Sequence, residues 1–428
     1  MDASVRAIVD TVGVAFAGSR TPQAIAARNY AEAEYGRGPA AIIGDHRLLT
    51  PRGGAFVNAV SAHALDFDDT CYAGICHGSA VIFPAVLATG QSKNCSGEDL
   101  IRAFAIGSEV AYALGDYLGN DVYYRGWFNT SMLGAVGAAA GVAALLNLGE
   151  QATAAAISNA MSHCGGSRSI LGSNFKPIMA GQAAALGVES AYLAASGLSA
   201  SPDVLEHRFG LAALTGADTQ SGQQPFVDLG QPWRMIKPGL AVKRYPVCSA
   251  AQASIEAALF LSKAYGIDAD DIEIVDCFVP HLVGISLPYI RPQNGTEAQF
   301  SLPFAVACAL THGGLTHHHL AGQAYEDLPI KQLAERVVMH VLDEEADPLA
   351  KELQPEGARV VFTTKRGNRL ETTIAKAYGM PARPFSTETL EEKFMECTAD
   401  SDIDASKLLK ALRDLPTLQD ISRLLTRG

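Results

Sequence analysis

The chain has 428 residues, of which 48% are hydrophobic and 18% charged, with a formal net charge of −12. That is enough apolar material for two or three packed domains, and the absence of any Lys/Arg block beyond two or three residues excludes the basic stripe of a nucleic-acid binder. A net negative chain can still hold an anionic ligand, because a few placed cations invert the field locally.

The eight cysteines (71, 76, 95, 164, 248, 277, 308 and 397) show no paired C-x-x-C spacing. They read as reduced thiols of a cytoplasmic protein. The N-terminal stretch MDASVRAIVDTVGVAFAG lacks the basic start and cleavage site of a secretory leader. No window reaches 18 uninterrupted apolar residues, so no membrane span is expected.

Taken in chain order, residues 1–238 read as an all-helical domain. SGEDLIRAFAIGSEVAYALGDYL opens with Ser96 and Asp99, a capping-box-like start, then repeats apolar residues at helical spacing. Residues 130–149 are almost wholly small or apolar, which predicts a helix buried on all sides. Residues 179–198 and 250–266 repeat the style. Between 239 and 380 the pattern changes: residues 271–280 alternate like a strand, 335–343 are short and β-branched, and 358–377 read as two strands turning at Arg366-Gly367-Asn368. Residues 381–428 return to charged, surface-type helices. The expected architecture is mainly α: a large helical domain, an inserted smaller α+β lid, and C-terminal helices returning to the first domain.

The densest chemistry lies in HALDFDDTCYAGICHGSA, from His63 to Ala80. An EF-hand loop begun at Asp66 would need Gly and Glu where Cys71 and His77 stand. DFDDT is not an aspartate box for diphosphates, and no second acidic motif partners it. Zinc on Cys71, Cys76 and His77 lacks a further close ligand pair. An acid/base site fits better, with Asp66 and Thr70 orienting His77, although a capped helix end is an equal reading of these residues alone. Asp68 and Asp69 stay open between site and helix end. Lys176, in GSNFKPIMAGQAA, either snorkels to solvent or neutralises a carboxylate, with Pro177 at the first helical position. Lys243 and Arg244, in VKRYPVCSAAQ, stand at the expected domain junction, where a polyanionic metabolite would bind. The THHHL run (316–320) reads as surface, since no acidic or thiol partner is spaced to close a metal site.

These segments, with GWFNTSMLGAVGAAAGVAALLNLG and FSLPFAVACAL, resemble in order and over nearly the whole chain the MmgE/PrpD family. The family includes 2-methylcitrate dehydratase, cis-aconitate decarboxylase and iminodisuccinate epimerase. The resemblance implies a helical domain with an α+β lid, a homodimer, a small polycarboxylate substrate, and chemistry without metal or other cofactor. It places Asp66, Thr70, His77, Lys176 and Lys243 on active-site positions. Asn129 and Ser131 near the start of the buried helix, and Arg244 beside Lys243, join them as expected substrate-binding residues.

Several positions depart from the family pattern. His77 stands one residue further from Thr70 than in the decarboxylases, and Gly78 follows it where Pro is common. Phe128 occupies the position of an active-site histidine, and Phe304 that of a tyrosine. Each phenylalanine removes a proton donor, which dehydration and decarboxylation need more than epimerisation does. The expected reaction is therefore proton abstraction α to a carboxylate with an epimerase outcome, Lys176 and His77 moving protons and Tyr124 in reserve. A dehydratase or decarboxylase is the alternative, and a catalytically inactive ligand-binding member is the alternative of another class.

Overall fold

The computed structural model of the chain describes residues 3–217 and 226–425. Its first half is a stack of helices around the Asn129–Leu145 helix, whose sequence NTSMLGAVGAAAGVAAL leaves no polar face to turn toward water. The small residues set the spacing. A Cβ built on Gly137 would lie 2.6 Å from the Gly107 carbonyl oxygen, so this helix and the Gly97–Leu118 helix meet backbone to backbone. The Pro51–His63, Ser79–Lys93 and Phe175–Ala195 helices complete the layer around it. Ser96 caps the Gly97–Leu118 helix by accepting from the Asp99 amide at 3.1 Å, as the sequence predicts. Pro177 is the third residue of its helix rather than the first, because Phe175 and Lys176 already adopt helical geometry.

The strands predicted beyond residue 270 form one four-stranded sheet. Ile272–Val279 runs parallel to Val337–Val341 on one side and antiparallel to Ala358–Thr364 on the other, and Arg369–Ile374 closes the order as an edge. The expected hairpin turns at Gly367, whose φ of +81° suits glycine. The Gln252–Tyr265 and Leu302–His312 helices pack on this sheet. Their shared apolar core runs from Val247 to Ala377 and is separate from the core of the helical half. The Thr387–Thr398 helix joins the first core instead: Phe394 packs against Gly13, and Lys393 pairs with buried Asp10 at 2.7 Å. The molecule is mainly helical with only small sheets, as expected. None of its described helices is long and apolar enough to cross a membrane.

Candidate active site

The Pro51–His63 helix ends at His63, and the chain then turns through Asp66, which takes a left-handed φ of +49°. Thr70 and Cys71 next pair antiparallel with Ala241 and Leu240. This two-residue ladder brings the segment carrying Lys243 to the turn. Lys243 Nζ donates to the Asp66 carbonyl at 2.7 Å and to its carboxylate Oδ2 at 2.8 Å. The other carboxylate oxygen is bonded by Lys176, the second residue of the Phe175–Ala195 helix. Asp66 is thus fully buried between two ammonium groups. Burial alone would raise its carboxyl, but Lys176 and Lys243 outweigh it and hold it well below the usual range.

Behind this pair lie two histidines, one of which the sequence reading did not single out. His63 Nδ1 meets Asp68 Oδ2 at 2.7 Å, both groups fully buried. His77 Nδ1 lies 2.8 Å from the Asp69 carbonyl oxygen and 3.2 Å from Thr70 Oγ1. A carbonyl only accepts, so Nδ1 carries the proton and Nε2 keeps its lone pair. Burial, with Lys243 next, depresses the His77 imidazole to about 3 against the opposing pull of Asp68 and Asp66. The ring is a neutral base with a fixed tautomer.

The three aspartates of the motif have three fates. Asp66 is clamped by lysines. Asp68 is held low by His63 and His77 although burial works the other way. Asp69 is pushed up by burial to about 8, with only the Ser79 hydroxyl, at 2.6 Å, donating to it.

Asp66, Thr70, His77, Asn129 and Lys176 all line one narrow cavity, which offers about 30 Å³ to water. Its opposite wall comes from the sheet-containing half: Cys248, Ser249, Ser286, Phe300 and Glu356. Five expectations need correction. Tyr124 is 44% exposed and its ring faces His281, because the short Asp121–Tyr124 helix turns its neighbour Tyr123 inward instead. Arg244 lines a surface hollow beside Glu256 and Tyr378, away from the cavity. Ser131 is buried in its helix, and Thr130 takes the place at the wall. Phe304 sits in the core of the second half, and the aromatic that this segment gives the cavity is Phe300, 5.3 Å from Lys176 Nζ. Lys243 reaches Asp66 from behind and is not part of the lining. Phe128 does line the cavity, so the apolar replacement at that position is real.

Two charged residues of the cavity went unpredicted. Glu356 is buried and accepts from the Tyr72 and Ser249 hydroxyls, the latter at 3.0 Å. Burial pushes its carboxyl up against the pull of those bonds. Arg168 stacks 3.8 Å from the Tyr123 ring centre and donates to the carbonyls of Tyr123 and Ile285 at 3.0 and 3.1 Å, while its Nε is buried without a partner. The only sequence signal for Arg168 was a cation in a Gly/Ser-rich loop; Glu356 had none.

The donor set does not favour zinc on the two cysteines. Cys71 and Cys76 are buried and joined through their backbones, and burial pushes both thiols up, away from the thiolate that zinc needs. His63, Asp68 and His77 bring three ligand atoms within 4.8 Å of one another. The histidine nitrogens that face Asp68 are already engaged in the hydrogen bonds described above.

Residues 1–224 match the MmgE/PrpD N-terminal domain and residues 245–413 the MmgE/PrpD C-terminal domain. Cis-aconitate decarboxylase of Homo sapiens is 28% identical over 438 residues, which spans 99% of this chain and 89% of the human one. The Mus musculus cis-aconitate decarboxylase is 27% identical, spanning 97% of this chain and 87% of its own.

Proposed function

The chain belongs to the MmgE/PrpD family, and from that premise we propose that it moves a proton at the carbon next to a carboxylate of a small di- or tricarboxylate. The observation that carries this reading is His77, a neutral base of fixed tautomer, sharing a narrow cavity with Lys176 and Arg168. One substrate carboxylate pairs with the free Nε of Arg168 and the Lys176 ammonium, which are charge-assisted donors. His77 Nε2 takes the α-proton, and the electron pair left on carbon spreads into the carboxylate beside those cations. A substrate anion at this wall raises the basicity of His77 by offsetting Lys243. Asp66 and Thr70 position the pair, and Lys243 holds Asp66.

Of the possible outcomes, epimerisation is the one we favour. Phe128 leaves that side of the cavity without a donor for a departing hydroxide, and epimerisation expels none: His77 keeps the α-proton and the Lys176 ammonium returns one to the opposite face of the carbon. The support from Phe304 is gone, since that residue lies outside the cavity. Decarboxylation is the second reading. It is favoured by the full-length similarity to cis-aconitate decarboxylases and by Glu356, a buried acid able to protonate the new carbanion.

Incubation of candidate substrates in D₂O separates these readings. Deuterium at the α-carbon without CO₂ or a new alkene is the expected result. CO₂ release from cis-aconitate would replace it with the decarboxylase. Thermal stabilisation by a carboxylate, with neither exchange nor turnover, would leave a binding protein. Lys176→Met should abolish whichever activity appears, and full retention would remove the active-site assignment.

A further inference from the structure

The three consecutive histidines of THHHL divide their work. His319 turns back on its own helix start, where its Nδ1 accepts from the Thr316 amide at 3.0 Å, and its ring stacks on His312. His317 and His318 are left side by side, ring centres 4.1 Å apart. Opposite them stands Asp400, just beyond the Thr387–Thr398 helix, a partner 82 positions away that no spacing rule in the sequence reveals. His317 Nε2 lies 3.8 Å, and His318 Nδ1 3.7 Å, from the same oxygen, Asp400 Oδ2. These separations are too long for hydrogen bonds.

The three groups surround a small gap. Ligand atoms on a tetrahedral zinc-type ion stand about 3.3 Å apart, and the three here already lie within 4.8 Å of one another, with the two histidine–carboxylate pairs at 3.7 and 3.8 Å. His317 is 8% exposed, and its Nδ1 is buried without a hydrogen-bond partner among the described residues. Arg20, the nearest cation, bonds the Asp400 backbone carbonyl and leaves the carboxylate to the imidazoles.

We propose that His317, His318 and Asp400 form a site for a borderline divalent transition ion such as Zn²⁺, Ni²⁺ or Co²⁺, two imidazoles and one carboxylate leaving a fourth position to water. The site crosses the seam between the two halves. The histidines belong to the sheet-containing half, while Asp400 follows a helix packed in the core of the helical half. The three residues share a groove of about 530 Å³ with Arg20 and Thr21, in the turn between the first two helices. Binding therefore ties the halves together through residues that line no part of the cavity, as a clamp distinct from the reaction proposed above.

Titration of the metal-free full chain with ZnCl₂ by calorimetry tests this, with Co²⁺ absorption as a spectroscopic check. Wild type should bind one ion through this site, show tetrahedral Co²⁺ bands, and gain thermal stability. His318→Ala and Asp400→Asn are both at partly exposed positions and should keep their metal-free melting temperatures. Each should lose affinity by about a hundredfold or more, since even outer-shell partners cost 10–100-fold. Affinity unchanged in both variants, or no saturable binding by wild type, would overturn the proposal.

Discussion

Asp66, Asp68 and Asp69 are all buried, and their partners alone separate them. Two lysines face the first, two histidines the second, and a single hydroxyl the third. The sequence marked this stretch as chemically dense and expected Asp66, Thr70 and His77 to form one wall of a cleft with Lys176 across from it; all four line the cavity. It could not rank the aspartates, because rank depends on which distant cation each one meets. Asp69 makes the point testable. Its carboxyl ordinarily titrates near 3.8, whereas burial lifts it to about 8 in the fold. Below pH 3.8 both folded and unfolded chains hold the proton. Between there and about 8 only the folded chain does, so stability falls as pH rises, by up to about 1.4 kcal/mol per pH unit. Asp69→Asn removes that loss while keeping a polar group beside Ser79. The melting temperature of the variant relative to wild type should climb steadily from pH 4 to pH 8, and a flat difference would show that Asp69 is ionised in the fold.

Helices of small residues gain their strength from distance, not from amphipathic pattern. The Asn129–Leu145 and Gly97–Leu118 helices touch through Gly137 and Gly107, and backbone atoms cannot retreat as side chains do. Ala at position 137 gains about 1 kcal/mol of helix propensity but sets its Cβ 2.6 Å from the Gly107 oxygen. Overpacking of that kind costs about 1–3 kcal/mol, so Gly137→Ala should destabilise on balance, with a lower urea midpoint at unchanged slope. A midpoint at or above wild type would mean that the helices can separate freely. Such helices were legible, since a run like GAVGAAAGVAAL admits no other burial, and so were the strands and their hairpin. The Thr70–Cys71 pairing with Leu240–Ala241 was not. Two residues carry no periodicity, yet this pairing is what delivers Lys243 to Asp66 and turns Arg244 away.

At the scale of the molecule, the cavity is closed by the meeting of two separately cored halves. Its 30 Å³ accommodates about two waters, too little for a polycarboxylate, so the proposed reaction requires the seam to part. Residues 168–172 form one lip of that seam. Arg168 donates to Ile285, Leu171 accepts from the Tyr289 hydroxyl at 2.7 Å, and Gly172 accepts from Thr296 at 2.7 Å. Gly172 has no room for a side chain because the Tyr289 ring would lie 2.5 Å from its Cβ. Tyr289 lines no part of the cavity, so Tyr289→Phe loosens the lip without touching the chemistry. One such bond is worth about 1 kcal/mol, or about a fivefold shift in the closing equilibrium. If closure after binding completes the site, kcat/KM should fall about fivefold in this variant while the pH profile set by the cavity residues stays where it was. A kcat/KM equal to wild type would show that the seam does not limit the reaction, and a displaced pH profile would place Tyr289 within the site's electrostatics.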